Sequence, residues 1–250
     1  MKNSKIIKKF EKSVILLQIL IPEGNNKNKM SIKGTGFIVS NDGKFITCAH
    51  VYDQTPKNER VYLGAMVPGE TDDNGRTRYD RFEVKLLDID RENDVALMEI
   101  VNNDNKIFNA ISNFATSDEI EEGEDIMILG YPLALELLMM KFGITKCANK
   151  CIVSSIKRRS KDGSLHFFMV DTHINNGSSG SPVFSSDSGK VIGIASGKIS
   201  QRIPIKENVV ADIPADMGIC GPVNYIADII NKNKDLKDTV KNAIKAELNN

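Results

Sequence analysis

Along the first two hundred residues the apolar positions come in short groups, each followed by a cluster of Gly, Asn or Asp. Val14-Ile15-Leu16-Leu17 reads as a first buried strand, because an unbroken β-branched and leucine run suits a strand covered on both faces. Ser31–Val39 (SIKGTGFIV) enters the turn Asn41-Asp42-Gly43, and Lys44–Cys48 (KFITC) leaves it, the pattern of a hairpin. Arg60–Leu63, Arg81–Asp88, Val95–Val101, Asp125–Leu129, Cys151–Ile156, Phe167–Val170 and Val191–Ala195 continue the series. Many short strands separated by turn residues predict an all-β sandwich or barrel. No repeat of roughly 20 to 50 residues is present, which removes solenoids and propellers.

Four breaks in this pattern organise the chain. Pro68–Asp80 and Ser200–Met217 are polar or proline-bearing and read as loops. The first holds Glu70, Asp72, Asn74 and Gly75 in an order that mimics a calcium loop, but Arg81 stands where the bidentate glutamate is required. The strand signal lapses over 102–118, which predicts a linker between two β units, 13–101 and 119–221. Beyond Pro222 the period becomes helical: Val223, Ile226 and Ile230, then Leu236, Val240, Ala243, Ile244 and Leu248. This amphipathic helix, 222–250, is expected to dock on the protein's own strands or to offer a face to a partner or a second copy. Residues 1–12 form a lysine-rich leader expected to stay on the surface.

Composition narrows the function. With 41% apolar and 26% charged residues in 250, the chain can bury a core and is not intrinsically disordered. Lys plus Arg is 33 and Asp plus Glu is 33, so the basic surplus of a phosphate-contacting nucleic-acid binder is missing. No apolar run reaches the roughly 18 to 20 residues that span a bilayer. Cys48, Cys147, Cys151 and Cys220 are too sparse for a disulfide scaffold, and the chain offers only His50, His166 and His173 to complete a metal site. No metal or cofactor is expected. The five lysines among residues 1–12 ahead of Val14 imitate a signal peptide, but Glu11, Gln18 and Pro22-Glu23-Gly24 interrupt it, so a cytoplasmic location is expected.

The chemistry concentrates in Asp171–Phe184, DTHINNGSSGSPVF. Ser179 lies between Gly177-Ser178 and Gly180-Ser181-Pro182, and small residues around one serine permit a tight turn with several backbone N–H groups aimed into one pocket. That is what a nucleophile beside an oxyanion hole requires. A serine needs a base, and His50 directly follows a strand; the base needs an orienting acid, and Asp94 opens the strand Val95–Val101.

These segments resemble the trypsin-like serine peptidases, nearest the HtrA/Deg and glutamyl-endopeptidase branches. The resemblance rests on GTGFIVSNDGKFITCAHV (Gly34–Val51), NDVALMEI (Asn93–Ile100), EEGEDIMILGYP (Glu121–Pro132), NNGSSGSPVF (Asn175–Phe184) and VIGIASG (Val191–Gly197), in that order. It implies two packed six-stranded antiparallel barrels with the site between them. His50 and Asp94 would come from the first barrel and Ser179 from the second, as catalytic base, orienter and nucleophile. The loop Gly177, Ser178 and Ser179 would supply the oxyanion hole. Ser196 and Gly197 would pair with a substrate strand, and His173 would lie at the base of the primary specificity pocket. Three features depart from the family: Ser178 replaces the aspartate of digestive trypsins, Cys48 stands two residues before His50 with no disulfide beside it, and Ala195 replaces the histidine of glutamate-specific relatives. The family's PDZ domain is not expected in this chain. A glycan on the sequon Asn176-Gly177-Ser178 would sit on the oxyanion loop itself, which fits the cytoplasmic expectation.

Three readings follow. The first is a serine endopeptidase acting on protein or peptide substrates through an acyl-enzyme. The second is a catalytically silent module of the same fold that holds peptides. The third, an esterase of the α/β-hydrolase type, needs Gly-x-Ser-x-Gly between a strand and a helix. Here position 181 is serine and strands flank the motif.

Overall fold

The computed structural model describes residues 3–22, 28–56, 61–206, 209–233 and 236. Six strands close the first barrel: β1 (Val14–Pro22), β2 (Asn28–Ile38), β3 (Lys44–Thr47), β4 (Tyr62–Thr71), β5 (Thr77–Asp90) and β6 (Val95–Val101), in the order β1-β2-β3-β6-β5-β4. Six more close the second: β7 (Asp125–Gly130), β8 (Cys147–Arg158), β9 (Leu165–Val170), β10 (Pro182–Ser185), β11 (Val191–Lys206) and β12 (Val209–Pro222), in the order β10-β11-β12-β9-β8-β7. Every pairing is antiparallel. Closure leaves no barrel edge to be covered.

The run from Val14 to Leu17 is wholly buried, as its uninterrupted apolar pattern requires. Phe37, Phe45 and Leu97 pack in the first barrel, and Ile126, Val153, Phe168 and Val183 in the second. Each such side chain contributes about 1.5–3 kcal/mol on leaving water. Residues 102–124 carry no strand and cross between the barrels, anchored by buried Phe108 and Ile111.

Three expectations are corrected and one short strand is added. The stretch 68–80 is the hairpin of β4 and β5, and Asp72 caps its turn by accepting from the N–H groups of Asn74 and Arg76 at 3.0 and 2.8 Å. The stretch 200–217 is likewise the ribbon of β11 and β12, where Gln201 pairs with Ile213 and Ile203 with Ala211. Both ribbons run beyond the buried core, so no covered face imposes an apolar alternation, and a two-stranded ribbon has room for proline at its edges. β10 is four residues long and opens with a proline, too little to register as a strand. Finally, residues 3–10 are not a surface leader but a helix, α1 (Asn3–Phe10), which buries Ile6 and Phe10 one turn apart. Phe10 stacks on Phe184 of the second barrel, with ring centroids 5.1 Å apart.

Three further helices are short: α2 (Ala49–Asp53), α3 (Ala134–Met139) and α4 (Val223–Lys232). α4 docks on the protein's own strands through Val223, Tyr225, Ile226, Ile229 and Ile230. Leu236 is buried as well, while Val240, Ala243, Ile244 and Leu248 lie outside the described residues. No helix among the described residues is long and apolar enough to cross a membrane.

Candidate active site

β3 ends at Thr47, and the chain turns through Cys48 into α2, which presents His50 in its first turn. Asp94 stands where the turn after β5 enters β6, at φ 56°, a left-handed conformation that Asp and Asn tolerate better than most residues. One carboxylate oxygen of Asp94 accepts the backbone N–H of His50 at 2.9 Å, and the other lies 2.8 Å from the His50 Nδ1. Ser196 Oγ donates to the same Oδ2. Burial pushes the Asp94 carboxyl upward, but the hydrogen bonds from His50 and Ser196 outweigh it and hold the group below the ordinary carboxylate range. Asp94 is therefore a charged acceptor that fixes the ring's orientation, leaving Nε2 as the His50 nitrogen able to face the cleft.

Ser196 reaches Asp94 because the register of β11 against β12 shifts between Ala195 and Gly197, so Ser196 has no partner in the ladder. A bulge of this kind turns a side chain and a carbonyl out of the sheet. The Ser196 carbonyl accepts the hydroxyl of Ser179 at 3.0 Å. Ser179 itself sits in the turn between β9 and β10, flanked by Gly177 at φ 91° and Gly180 at φ 90°. Both positions demand glycine twice over. A Cβ on Gly177 would lie 2.3 Å from the Tyr131 carbonyl oxygen, and one on Gly180 would lie 1.9 Å from that of Thr35.

The direction of the loop amides follows from their neighbours. The Asn176 carbonyl accepts the Leu133 N–H at 2.7 Å. In a trans peptide the N–H points opposite to the C=O, so the Gly177 N–H faces away from Leu133. Among the described residues, the N–H groups of Gly177 and Ser179 take no protein acceptor. Ser178 differs from the expectation for the loop: its N–H closes the turn onto the Asn175 carbonyl at 3.0 Å and has no proton to offer an anion. The donors left are Gly177 and Ser179.

His50, Ser179, Gly177, Ser196 and Gly197 line one cleft of about 430 Å³. His173 is not among its lining residues. Its Nδ1 lies 3.1 Å from the Ala215 carbonyl oxygen, and the next residue, Ile174, lines the cleft instead. Ile174 is 4% exposed and abuts Gly218, where a Cβ would come within 2.5 Å of it. Its signal was present in the sequence: it is the one large apolar side chain in the polar run Thr172–Ser181. Lys198 and the first turn of α3, Ala134–Glu136, also border the cleft and carried no sequence signal.

Cys48, His50 and Asp94 bring their ligand atoms within 4.8 Å of one another, the one such set among the described residues. Burial and the Asp94 charge push the Cys48 thiol well up, and it donates to the Ala195 carbonyl at 3.4 Å. The His50 Nδ1 and both Asp94 oxygens are engaged with each other. As arranged, the set is a hydrogen-bonded acid and base rather than an open metal centre.

Two six-stranded barrels with a histidine and aspartate from one and a serine from the other define a class, that of the trypsin-like peptidases. The family model described as trypsin-like peptidase domain matches residues 34–194, and the chain belongs to this family. It is 29% identical over 205 residues to mouse serine protease HTRA4, covering 79% of this chain and 37% of that protein. It is 31% identical over 175 residues to human serine protease HTRA4, covering 68% of this chain and 31% of that protein. It thus spans about a third of the length of these relatives. A solved structure, the crystal structure of Deg5, superposes with a TM-score of 0.63 at 20% identity over 90% of both chains, a likeness of fold.

Proposed function

We propose that this protein is a serine endopeptidase that hydrolyses peptide bonds of protein substrates through an acyl-enzyme. The observation that carries the proposal is the single cleft lined by His50, whose ring is held from behind by Asp94, by Ser179 and by Gly177. Ser179 Oγ attacks the scissile carbonyl while His50 Nε2 takes its proton. Asp94, ionised, holds the histidine tautomer and offsets the imidazolium charge. The Gly177 and Ser179 N–H groups receive the oxyanion that forms, a contribution of about 10²–10³ in turnover per donor. His50 then returns the proton to the leaving amine, and water reverses the sequence on the ester. Substrate enters as an extended strand against Ser196–Lys198.

The test is covalent labelling with a fluorophosphonate probe, alongside cleavage of casein. The parent protein should label at one site and cleave. Ser179→Ala should do neither and should keep its fold, because the turn accepts a small side chain. A parent protein that binds peptides in the cleft but neither labels nor cleaves would instead be the silent peptide-binding module.

A further inference from the structure

The loop that carries Ser179 belongs to the second barrel, yet a side chain of the first barrel holds it. Thr35 lies in β2, fully buried, and its polar atoms are spent at the junction. Its Oγ1 donates to the Gly177 carbonyl at 2.7 Å and accepts the Tyr131 N–H at 3.1 Å. Its backbone N–H donates to the Ser179 carbonyl at 2.8 Å, and its own carbonyl accepts the Thr47 hydroxyl at 2.7 Å.

We infer that Thr35 is a positioning residue for the oxyanion-binding amide of Gly177, an inference that rests on the reading of Ser179 as nucleophile. Glycine at φ 91° has no Cβ to resist rotation of the peptides on either side of it. A turned-over Asn176–Gly177 peptide would present a carbonyl to the cleft where an N–H is needed. The structure pins both planes. Leu133 N–H holds the peptide before Gly177, and the Thr35 hydroxyl holds the peptide after it. Neither clamp touches substrate: Leu133 holds the plane that carries the Gly177 N–H, and Thr35, with the Ser178 N–H on the Asn175 carbonyl at 3.0 Å, fixes the plane after Gly177 and so anchors the Cα about which that N–H could turn.

Threonine suits the task for two reasons. Its β-branch restricts χ1, so the hydroxyl is aimed without further support. A hydroxyl also donates and accepts at once, which lets one atom serve the Gly177 carbonyl and the Tyr131 N–H together. Valine has the same shape and neither capacity. It would leave a buried acceptor and a buried donor without partners, and turning the loop would be one way to satisfy them. Thr35 also ties the two barrels together, since its strand pairs with β3, which leads into His50, while its hydrogen bonds fall on the Ser179 loop.

The experiment compares Thr35→Val and Thr35→Ser with the parent, reading kcat and KM on a short peptide, affinity for a peptide boronic acid, and fluorophosphonate labelling. Thr35→Val should lower kcat by about 10- to 100-fold, somewhat less than outright loss of an oxyanion donor. It should weaken the boronic acid by a similar factor while KM stays within about threefold, since the ground state makes little use of the oxyanion site. Thr35→Ser should stay within about threefold on every measure. Should Thr35→Val melt below the assay temperature, Thr35→Ala is measured against Thr35→Ser below both melting points. The inference is overturned if the variant without a hydroxyl keeps kcat and boronic-acid affinity within threefold of the parent, or if Thr35→Ser is impaired as much. Ser179→Ala, run alongside, separates the two readings. Ser179-dependent labelling with parent-like Thr35→Val overturns this inference alone; no Ser179-dependent labelling in the parent overturns the peptidase reading and this one with it.

Discussion

The hydroxyl of Ser179 donates to the carbonyl oxygen of Ser196 at 3.0 Å, and among the described residues it makes no hydrogen bond with His50. Ser196 lacks a ladder partner at the bulge in β11, so its carbonyl is the acceptor an incoming peptide N–H would find on that wall of the cleft. A substrate that takes this acceptor releases the hydroxyl to turn toward His50. On the proposed peptidase reading, the substrate group concerned would be the backbone N–H of the residue that carries the scissile carbonyl. Methylating that nitrogen should therefore lower kcat as well as affinity, by about tenfold or more in kcat/KM, the order of one charge-free hydrogen bond lost in a closed site. Parallel assays of the two peptides check it; equal kcat/KM values would mean that the Ser196 carbonyl plays no part in releasing Ser179.

Asp94 holds His50 through its ring nitrogen and its backbone N–H together, so asparagine can keep one of these bonds but not the tautomer. Asp94→Asn should reduce turnover by about four orders of magnitude at neutral pH with little change in KM. The sign of its stability effect also follows. Because the folded carboxyl sits below its usual range, its contribution is present above the unfolded carboxylate pKa and is lost as pH falls through the folded one. The parent's melting temperature should therefore fall in acid more than the variant's. Thermal scans across the acid range read this directly, and parallel curves would assign the acid loss to other carboxylates.

Specificity should follow Ile174 rather than His173. Ile174 lines the cleft, whereas His173 is turned to the Ala215 carbonyl. Ile174→Ala should widen the pocket and move the preferred residue before the cleaved bond toward larger apolar side chains, with changes of about 10- to 100-fold between substrates differing by a methylene or two. His173→Ala should leave the profile unchanged. Peptide-library profiling of both variants decides the matter: a shift with His173→Ala and none with Ile174→Ala would return His173 to the pocket.

What the sequence carried and what it hid divide along burial. β6 is legible to the residue, Val95–Val101, because a covered barrel face imposes its pattern on the side chains. The β11–β12 ribbon is hidden because exposed Ile203 and Ile213 answer to no core. Within the candidate site, residue type and the strands beside them nominate His50, Asp94 and Ser179, and the structure sets Asp94 against the His50 ring and puts His50 and Ser179 on one cleft. Thr35 was not, since nothing in GTGF tells a strand threonine from one whose hydroxyl clamps a loop 142 positions away. Spacing from Ser179 points to His173 but does not fix which of two neighbouring side chains turns inward, and in the structure Ile174 lines the cleft while His173 lies on the Ala215 carbonyl.

Helix α1 provides the last test. A lysine-rich segment of eight residues has little helical stability alone in water. Its helix persists here because Ile6 and Phe10, four apart on one face, enter the core, and Phe10 stacks against Phe184. Phe184 lies on β10, directly after the Ser179 loop, so the amino-terminal helix braces the strand that anchors the candidate nucleophile. Phe10→Ala should cost about 3–5 kcal/mol, the usual range for emptying a buried phenylalanine site. For a chain of this size that lowers the melting midpoint by about 6–20 °C. Lys5→Ala, on the same helix but with an exposed side chain, should change it by less than about 2 °C. Calorimetry on the pair gives the comparison. Equal midpoints for Phe10→Ala and the parent would mean that α1 is an ornament on the barrels rather than part of their core.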